Sequence, residues 1–219
     1  MLRPGSDVDA WLAHRWAVLS DRAGITTGAS GVFEQLRVAY SEEHRRYHTL
    51  THVAWTLFRA GRIVELEQTA DTIAVELAVW FHDFVYDTRR SDNEHRSAVI
   101  ARRLLSRCGV AATVVDDVAF LVEATADHRV PDGRLAGPAA ILLDADLSIL
   151  SAPRAVYQAY ARDVRAEYRW VPEPDYRAGR TRVLESLRRG RVYSTAAMAS
   201  REPAAQANLA WELDQLAGA

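Results

Sequence analysis

The sequence predicts an all-α fold, and three observations carry that expectation. Apolar residues recur at three- and four-residue steps along most of the chain, the spacing that gathers side chains on one face of an α-helix. Alternating β-branched stretches bounded by hairpin turns are missing, which removes the usual signature of strands. No linker divides the 219 residues, and that length suits one domain with a substantial buried core. The expectation is a single helical bundle with its core over about 30–150 and a helical extension over about 153–219.

The first helix begins after Ser6 or Asp7 as N-cap, turns Trp11, Leu12, Trp16 and Leu19 inward and ends at Gly24, since glycine accepts the left-handed conformation that closes helices. A second, from about Ser30 to Glu42, places Val32, Phe33, Leu36 and Tyr40 on one side. The third runs from His48 to about Val64 and the fourth from Thr69 to Phe84. Ser91 followed by Glu94 resembles a capping box opening a helix that stops at Gly109, because Ser and Glu at that spacing can satisfy each other's backbone donors. Another helix spans about Ala112 to Asp127, and VPDGRLAGP is turn chemistry. The apolar AAILLDADLSIL follows, then a Tyr- and Arg-rich helix from Pro153 to about Trp170, and two more helices beyond the VPEPD turn.

Composition narrows the function. The 27 basic residues, all Arg, nearly cancel 29 acidic ones, for a formal charge of −2, which argues against a broad nucleic-acid-binding surface. The single Cys108 excludes an internal disulfide and reads as packing near a helix end, so a reducing cytoplasm is expected. No apolar leader or membrane-spanning run is visible. Tyr and Trp on the C-terminal helices are compatible with an oligomer as well as with internal packing.

The chemistry centres on His82-Asp83 in AVWFHDFVYD. Apolar flanks place both side chains in or near the core, where an unpaired imidazole and carboxylate are costly and a bound cation would remove the cost. His52 in RYHTLTHVAW and Asp146 in LLDADLSIL complete two nitrogen and two oxygen donors, a set suited to a divalent ion without separating Mg, Mn, Zn, Fe, Co and Ni. Asp144 and Asp146 diverge by about 200° on a helix, so only one of them reaches such a site. His48, four residues before His52, is a second ligand, a proton donor one turn away, or simply a partner of Glu43. Arg45-Arg46, Arg89-Arg90 and Arg129 flank the site segments, and guanidinium is well shaped for phosphate, although Arg is so common here that most copies are expected to be ordinary solvated side chains and none is assigned to the site. Tyr47 and Trp80 read as core aromatics, and His14 and His44 as surface residues.

His52, His82-Asp83 and Asp146, in the order H…HD…D, resemble the HD-domain superfamily of metal-dependent phosphohydrolases. YHTLTHVA, from Tyr47 to Ala54, is similar to a motif of cyclic-nucleotide phosphodiesterases, and ADLS, from Ala145 to Ser148, to the helix that completes their metal site. With SDNEHRSA and VYQAYARDVRAEYRWVP, the chain looks like a bacterial group of predicted HD phosphohydrolases over nearly its whole length. The chain departs from the cyclic-nucleotide enzymes in being shorter and lacking a recognisable purine-clamping glutamine segment. The resemblance implies an HD-like bundle with His52, His82, Asp83 and Asp146 as metal ligands, Asp146 being preferred to Asp144. It also implies His48 as general acid and Asp83 in a second role, orienting the nucleophile or bridging two ions. Asp87 and Glu94 are candidates for supporting carboxylates, and His128 for a second metal or substrate contact, with His95 behind it. The implied reaction is hydrolysis of a phosphomonoester or phosphodiester, such as a nucleotide, by metal-activated water on a phosphorylated small molecule. The alternatives are a non-catalytic ligand-sensing or protein-binding HD module and a di-iron oxygenase.

Overall fold

A computed structural model describes residues 7–68 and 72–218. Ser6, a candidate for the first cap, and Thr69, expected to open the fourth helix, lie outside the described residues. Among the described residues the fold is all-α: α1 (Val8–Arg22), α2 (Ala29–Ala39), α3 (Leu50–Glu67), α4 (Ile73–Phe81), α5 (Asn93–Arg107), α6 (Ala112–Glu123), α7 (Ala136–Asp146), α8 (Arg154–Glu167), α9 (Glu173–Arg188) and α10 (Glu202–Ala217). Short 3₁₀ turns at Leu147–Ser151 and Ala196–Arg201 complete it. No helix among the described residues is long and apolar enough to cross a membrane.

The sequence IAVELAVWF has no polar stripe, and a helix apolar all round must be buried on all sides. It becomes α4, the centre of the bundle, in contact with α3, α6 and α7. Trp80 at its C-terminal end is fully buried and meets Trp16 edge-on at 5.3 Å and Phe33 at 6.0 Å. The only charged residue of α4, Glu76, is buried and accepts from Arg15 at 2.7 Å and Arg22 at 2.6 Å, so its ionic partners clamp α1 onto the centre. Helix α1 thus joins the core although it precedes the stretch expected to form it: Leu12, Trp16 and Leu19 are buried there. Its Asp7 cap accepts from the amide of Ala10, and Gly24 beyond its end has φ +69°.

Several helix boundaries differ from the periodicity, and those at the start of α3 and the end of α4 have a tertiary reason. Helix α3 starts at Leu50 rather than His48, because the amides of Arg46, Tyr47 and His48 donate to Glu167 on α8 at 2.7, 2.8 and 3.0 Å. Helix α4 stops at Phe81 rather than Phe84. The carbonyls of Asp83 and Phe84 accept from the buried guanidinium of Arg45 at 2.8 and 3.0 Å, and the amide of Val85 turns to the hydroxyl of Ser97 on α5. Helix α6 ends at Glu123 rather than Asp127, and the turn that follows carries His128 at φ +53°, a left-handed conformation that few non-glycine residues adopt. The expected capping box is not formed: the N-cap of α5 is Asp92, which makes no cap bond and pairs with Arg90.

Helix α7 meets α3 along one face, so its two aspartates part as their angular separation requires. Asp144, almost fully buried, accepts from the amides of Ser194 and Thr195 at 2.9 and 2.8 Å and from the Thr195 hydroxyl at 2.7 Å. It anchors the loop before α10. Asp144→Ala leaves three donors, the two of Thr195 buried, without an acceptor, and the expected result is a loss of about 3 kcal/mol of stability in urea unfolding, with cation binding unchanged.

Candidate metal centre

Packing of α3, α4 and α7 brings His52, His82 and Asp146 together. His82 is the C-cap of α4, and Asp83 follows it in the turn. The Nε2 atoms of His52 and His82 lie 3.0 Å apart. Asp83 Oδ2 is 3.1 Å from His82 Nε2 and 3.6 Å from His52 Nε2; Asp146 Oδ1 mirrors it, at 3.1 Å from His52 and 3.6 Å from His82. His52, His82 and Asp83 offer donor atoms all within 4.8 Å of one another, and Asp146 faces the same imidazole pair.

Each imidazole is held from behind. His82 Nδ1 lies 2.9 Å from the carbonyl of Val79; a carbonyl only accepts, so Nδ1 carries the hydrogen and the neutral ring presents its Nε2 lone pair to the cluster. His52 Nδ1 lies 3.2 Å from the Tyr47 hydroxyl, which leaves its Nε2 on the same side. Backing of this kind sets the tautomer and direction of a ligating histidine. With the His52 hydrogen on Nδ1, where the Tyr47 hydroxyl can accept it, two lone pairs face each other 3.0 Å apart and repel unless a positive charge lies between or beside them; in that tautomer the donor set fits a divalent cation.

The electrostatics agree. Burial disfavours charge on His82, yet the Asp83 and Tyr40 side chains and the hydrogen bonds to Asp146 and Asp83 outweigh it and raise its pKa well above the ordinary histidine value. Burial would raise the Asp83 carboxyl, but His82 and His48 pull it far down. Asp146 is likewise depressed against its burial, by hydrogen bonds from His128, His52 and His82. Two carboxylates thus stay ionised around protons that a cation can replace.

His48 does not lie on the face of α3. It precedes the helix, with its ring 5.7 Å from that of His52, and its Nδ1 meets Glu167 Oε2 at 2.7 Å rather than Glu43. Glu167, whose side chain is wholly buried, is the principal site residue that the sequence reasoning missed. One oxygen takes the three amides of residues 46–48; the other takes His48 Nδ1 and the Tyr86 hydroxyl, the latter at 2.8 Å. Despite burial, the hydrogen bond and charge of His48 bring its pKa down to about 2. The His48 pKa is raised in turn: burial lowers it, but Asp83 and Glu167 prevail.

His128 is brought to the site, with Nε2 3.3 Å from Asp146 Oδ2, and its left-handed backbone is the kind of strain that recurs at functional positions. Glu94 lines the adjoining cavity. Asp87 does not: its carboxylate caps the amide of Arg89, and Asn93 clamps its backbone. His95 is exposed beside Glu123, and His14 is exposed. His44 is half-buried, its Nε2 against the carbonyl of Tyr86, rather than a free surface residue. The flanking arginines are a further correction. Arg45 is buried between the rings of Tyr40 and Tyr86 and spends its donors on backbone carbonyls and the Glu42 carboxylate, Arg90 pairs with Asp92, Arg89 covers Trp170, and none of the five lines the cavity. Trp80 is core as expected, whereas Tyr47 lines the cavity.

That cavity, about 480 Å³, opens over His48, His82, Asp83 and Asp146 and is lined further by Tyr86, Glu94 and Thr125 and by residues of α8, α9 and the turn between them. Its size suits a small organic ligand. No family model, curated protein or solved structure matches the chain, so its chemistry is read from these side chains.

Proposed function

We propose that this chain is a metal-dependent phosphohydrolase of HD type, acting on a phosphorylated small molecule. The observation that carries the reading is the facing pair of imidazole nitrogens, 3.0 Å apart, flanked by two carboxylates at the floor of a cavity. His52, His82, Asp83 and Asp146 would hold the ion. When bound, a divalent cation polarises a phosphoryl oxygen and makes water acidic enough to attack near neutral pH. Asp83, beside the cavity, is placed to orient that water by accepting its hydrogen. His48 carries its hydrogen at Nδ1 against Glu167 and directs Nε2 away from that carboxylate; protonated there, it donates to the oxygen that leaves phosphorus. Arg45, holding the carbonyls of His48 and Asp83 together at 3.2 and 2.8 Å, keeps donor and ligand in register. A reducing, cytoplasmic setting fits the single buried thiol, Cys108.

The test is elemental analysis of protein purified without chelator, followed by a screen of phosphate esters with added divalent ions. Bound cation and turnover support the reading. Cation without turnover on any ester favours a sensing module, and two irons with oxygen uptake favour the oxygenase. For the assigned acid, His48→Ala is expected to keep the cation and lose about 100-fold or more in kcat; loss of the cation as well would make His48 a ligand.

A further inference from the structure

We infer that the substrate of this cavity carries a single phosphoryl group on a flat, ring-bearing body, and that nucleoside polyphosphates are poor ligands. The inference rests on the hydrolase reading and deepens it. The walls above the cluster are aromatic and aliphatic: Tyr160, Tyr168, Trp170 and Tyr176 with Val164 and Leu187. The Trp170 indole is anchored by its Nε1 donating to Thr88 at 2.7 Å and stays 45% exposed, with the Arg89 guanidinium 4.8 Å from its ring centre, so the ring surface that Arg89 leaves uncovered is open to a ligand. Tyr168 and Tyr176 stand with ring centres 6.1 Å apart, and Tyr160 meets Tyr47 edge-on at 4.6 Å. Rings placed in this way reward a planar guest.

Charge excludes the competing class. A polyphosphate bears several negative charges beyond the one phosphoryl group a cation can neutralise, and its usual receivers are free guanidinium or ammonium groups. The chain has no lysine. Arg180 is the only arginine that lines the described cavity, and it is committed: its Nε binds Glu212 Oε1 at 2.7 Å, while Nη2 binds Glu212 Oε2 at 3.1 Å and the Tyr160 hydroxyl at 3.2 Å. The other charged groups lining the space away from the cluster, Glu94 and Asp175, are acidic. A second phosphoryl group would therefore meet carboxylates without an uncommitted cation. A neutral or cationic ring system would not.

The experiment compares kcat/KM of the manganese-loaded full chain for naphthyl phosphate, glycerol phosphate and adenosine triphosphate. Naphthyl phosphate is expected to lead with a KM about tenfold or more lower, since each ring contact contributes a few-fold, whereas any advantage in kcat belongs to its better leaving oxygen. Trp170→Ala is expected to reduce that lead, chiefly through KM. Asp175→Arg, at an exposed position, is expected to raise triphosphate use about tenfold by supplying the missing guanidinium. Equal or better use of glycerol phosphate or the triphosphate by the unaltered protein overturns the inference while sparing the hydrolase reading. If no ester turns over, the hydrolase reading fails, and calorimetric titration of the loaded protein with naphthyl phosphate and adenosine triphosphate decides the cavity's preference. Equal or tighter triphosphate binding then overturns the inference.

Discussion

His82→Ala is expected to weaken cation binding by at least about 100-fold and to abolish turnover, a larger effect than the loss of any side chain outside the cluster. The imidazole is one of two that face each other across 3.0 Å, and without it Asp83 loses the contact at 3.1 Å that directs its Oδ2 into the cluster. Thermal unfolding provides a readout independent of activity. A cation present at about 1,000 times its Kd stabilises the folded chain by about 4 kcal/mol, and that ligand-dependent rise in Tm should vanish in the variant. His14→Ala, at an exposed residue outside the cluster, should preserve the rise. A His82→Ala protein that retains its cation and its rate would remove the metal centre altogether.

Glu167→Gln is expected to leave the cation in place, because Glu167 contacts none of the four proposed ligands, while lowering kcat about 100-fold with a smaller change in KM. An amide can still accept from backbone N–H groups, but it cannot reproduce the ionised acceptor facing His48 Nδ1 at 2.7 Å. A loss through leaving-group protonation should depend on the ester. Nitrophenyl phosphate, whose leaving oxygen needs little help from a proton, should lose less than an alkyl phosphate; equal losses would show that Glu167 serves the fold alone. Stability supplies a separate check. The Glu167 carboxyl falls from its ordinary 4.5 to about 2 in the folded chain, so it contributes stability above pH 4.5 that is lost as acid carries the pH down through about 2. Linkage puts that contribution at roughly 3 kcal/mol. The variant's unfolding free energy should therefore be lower at neutral pH and should fall less steeply over that acid interval.

Legibility in the sequence follows the range of the interaction. Spacing alone assigns Trp16 and Leu36 to the core, and both are buried, since helical periodicity is a property of a few consecutive residues. The angular argument about Asp144 and Asp146 also holds: one reaches the cluster, and the other grips Ser194 and Thr195. The arginines mislead for the opposite reason. Arg45 looks like a surface cation beside Arg46, and only the approach of the 83–84 carbonyls and the rings of Tyr40 and Tyr86 turns it into a buried structural clamp. The start of α3 and the end of α4 differ because partners elsewhere in the chain claim the backbone groups that another turn would have used.

By itself, then, the order of residues determined the helical class, most of the inward faces and the donor types that could hold an ion, because local periodicity and side-chain chemistry need no partner. Tertiary structure decided which groups converge. It set Glu167 behind His48 across 119 residues of chain, turned His128 toward Asp146, left Asp87 outside the cavity, and walled that cavity with aromatic rings in place of free arginines. Those outcomes depend on how helices far apart in the chain pack against one another, and no spacing along a single helix encodes that.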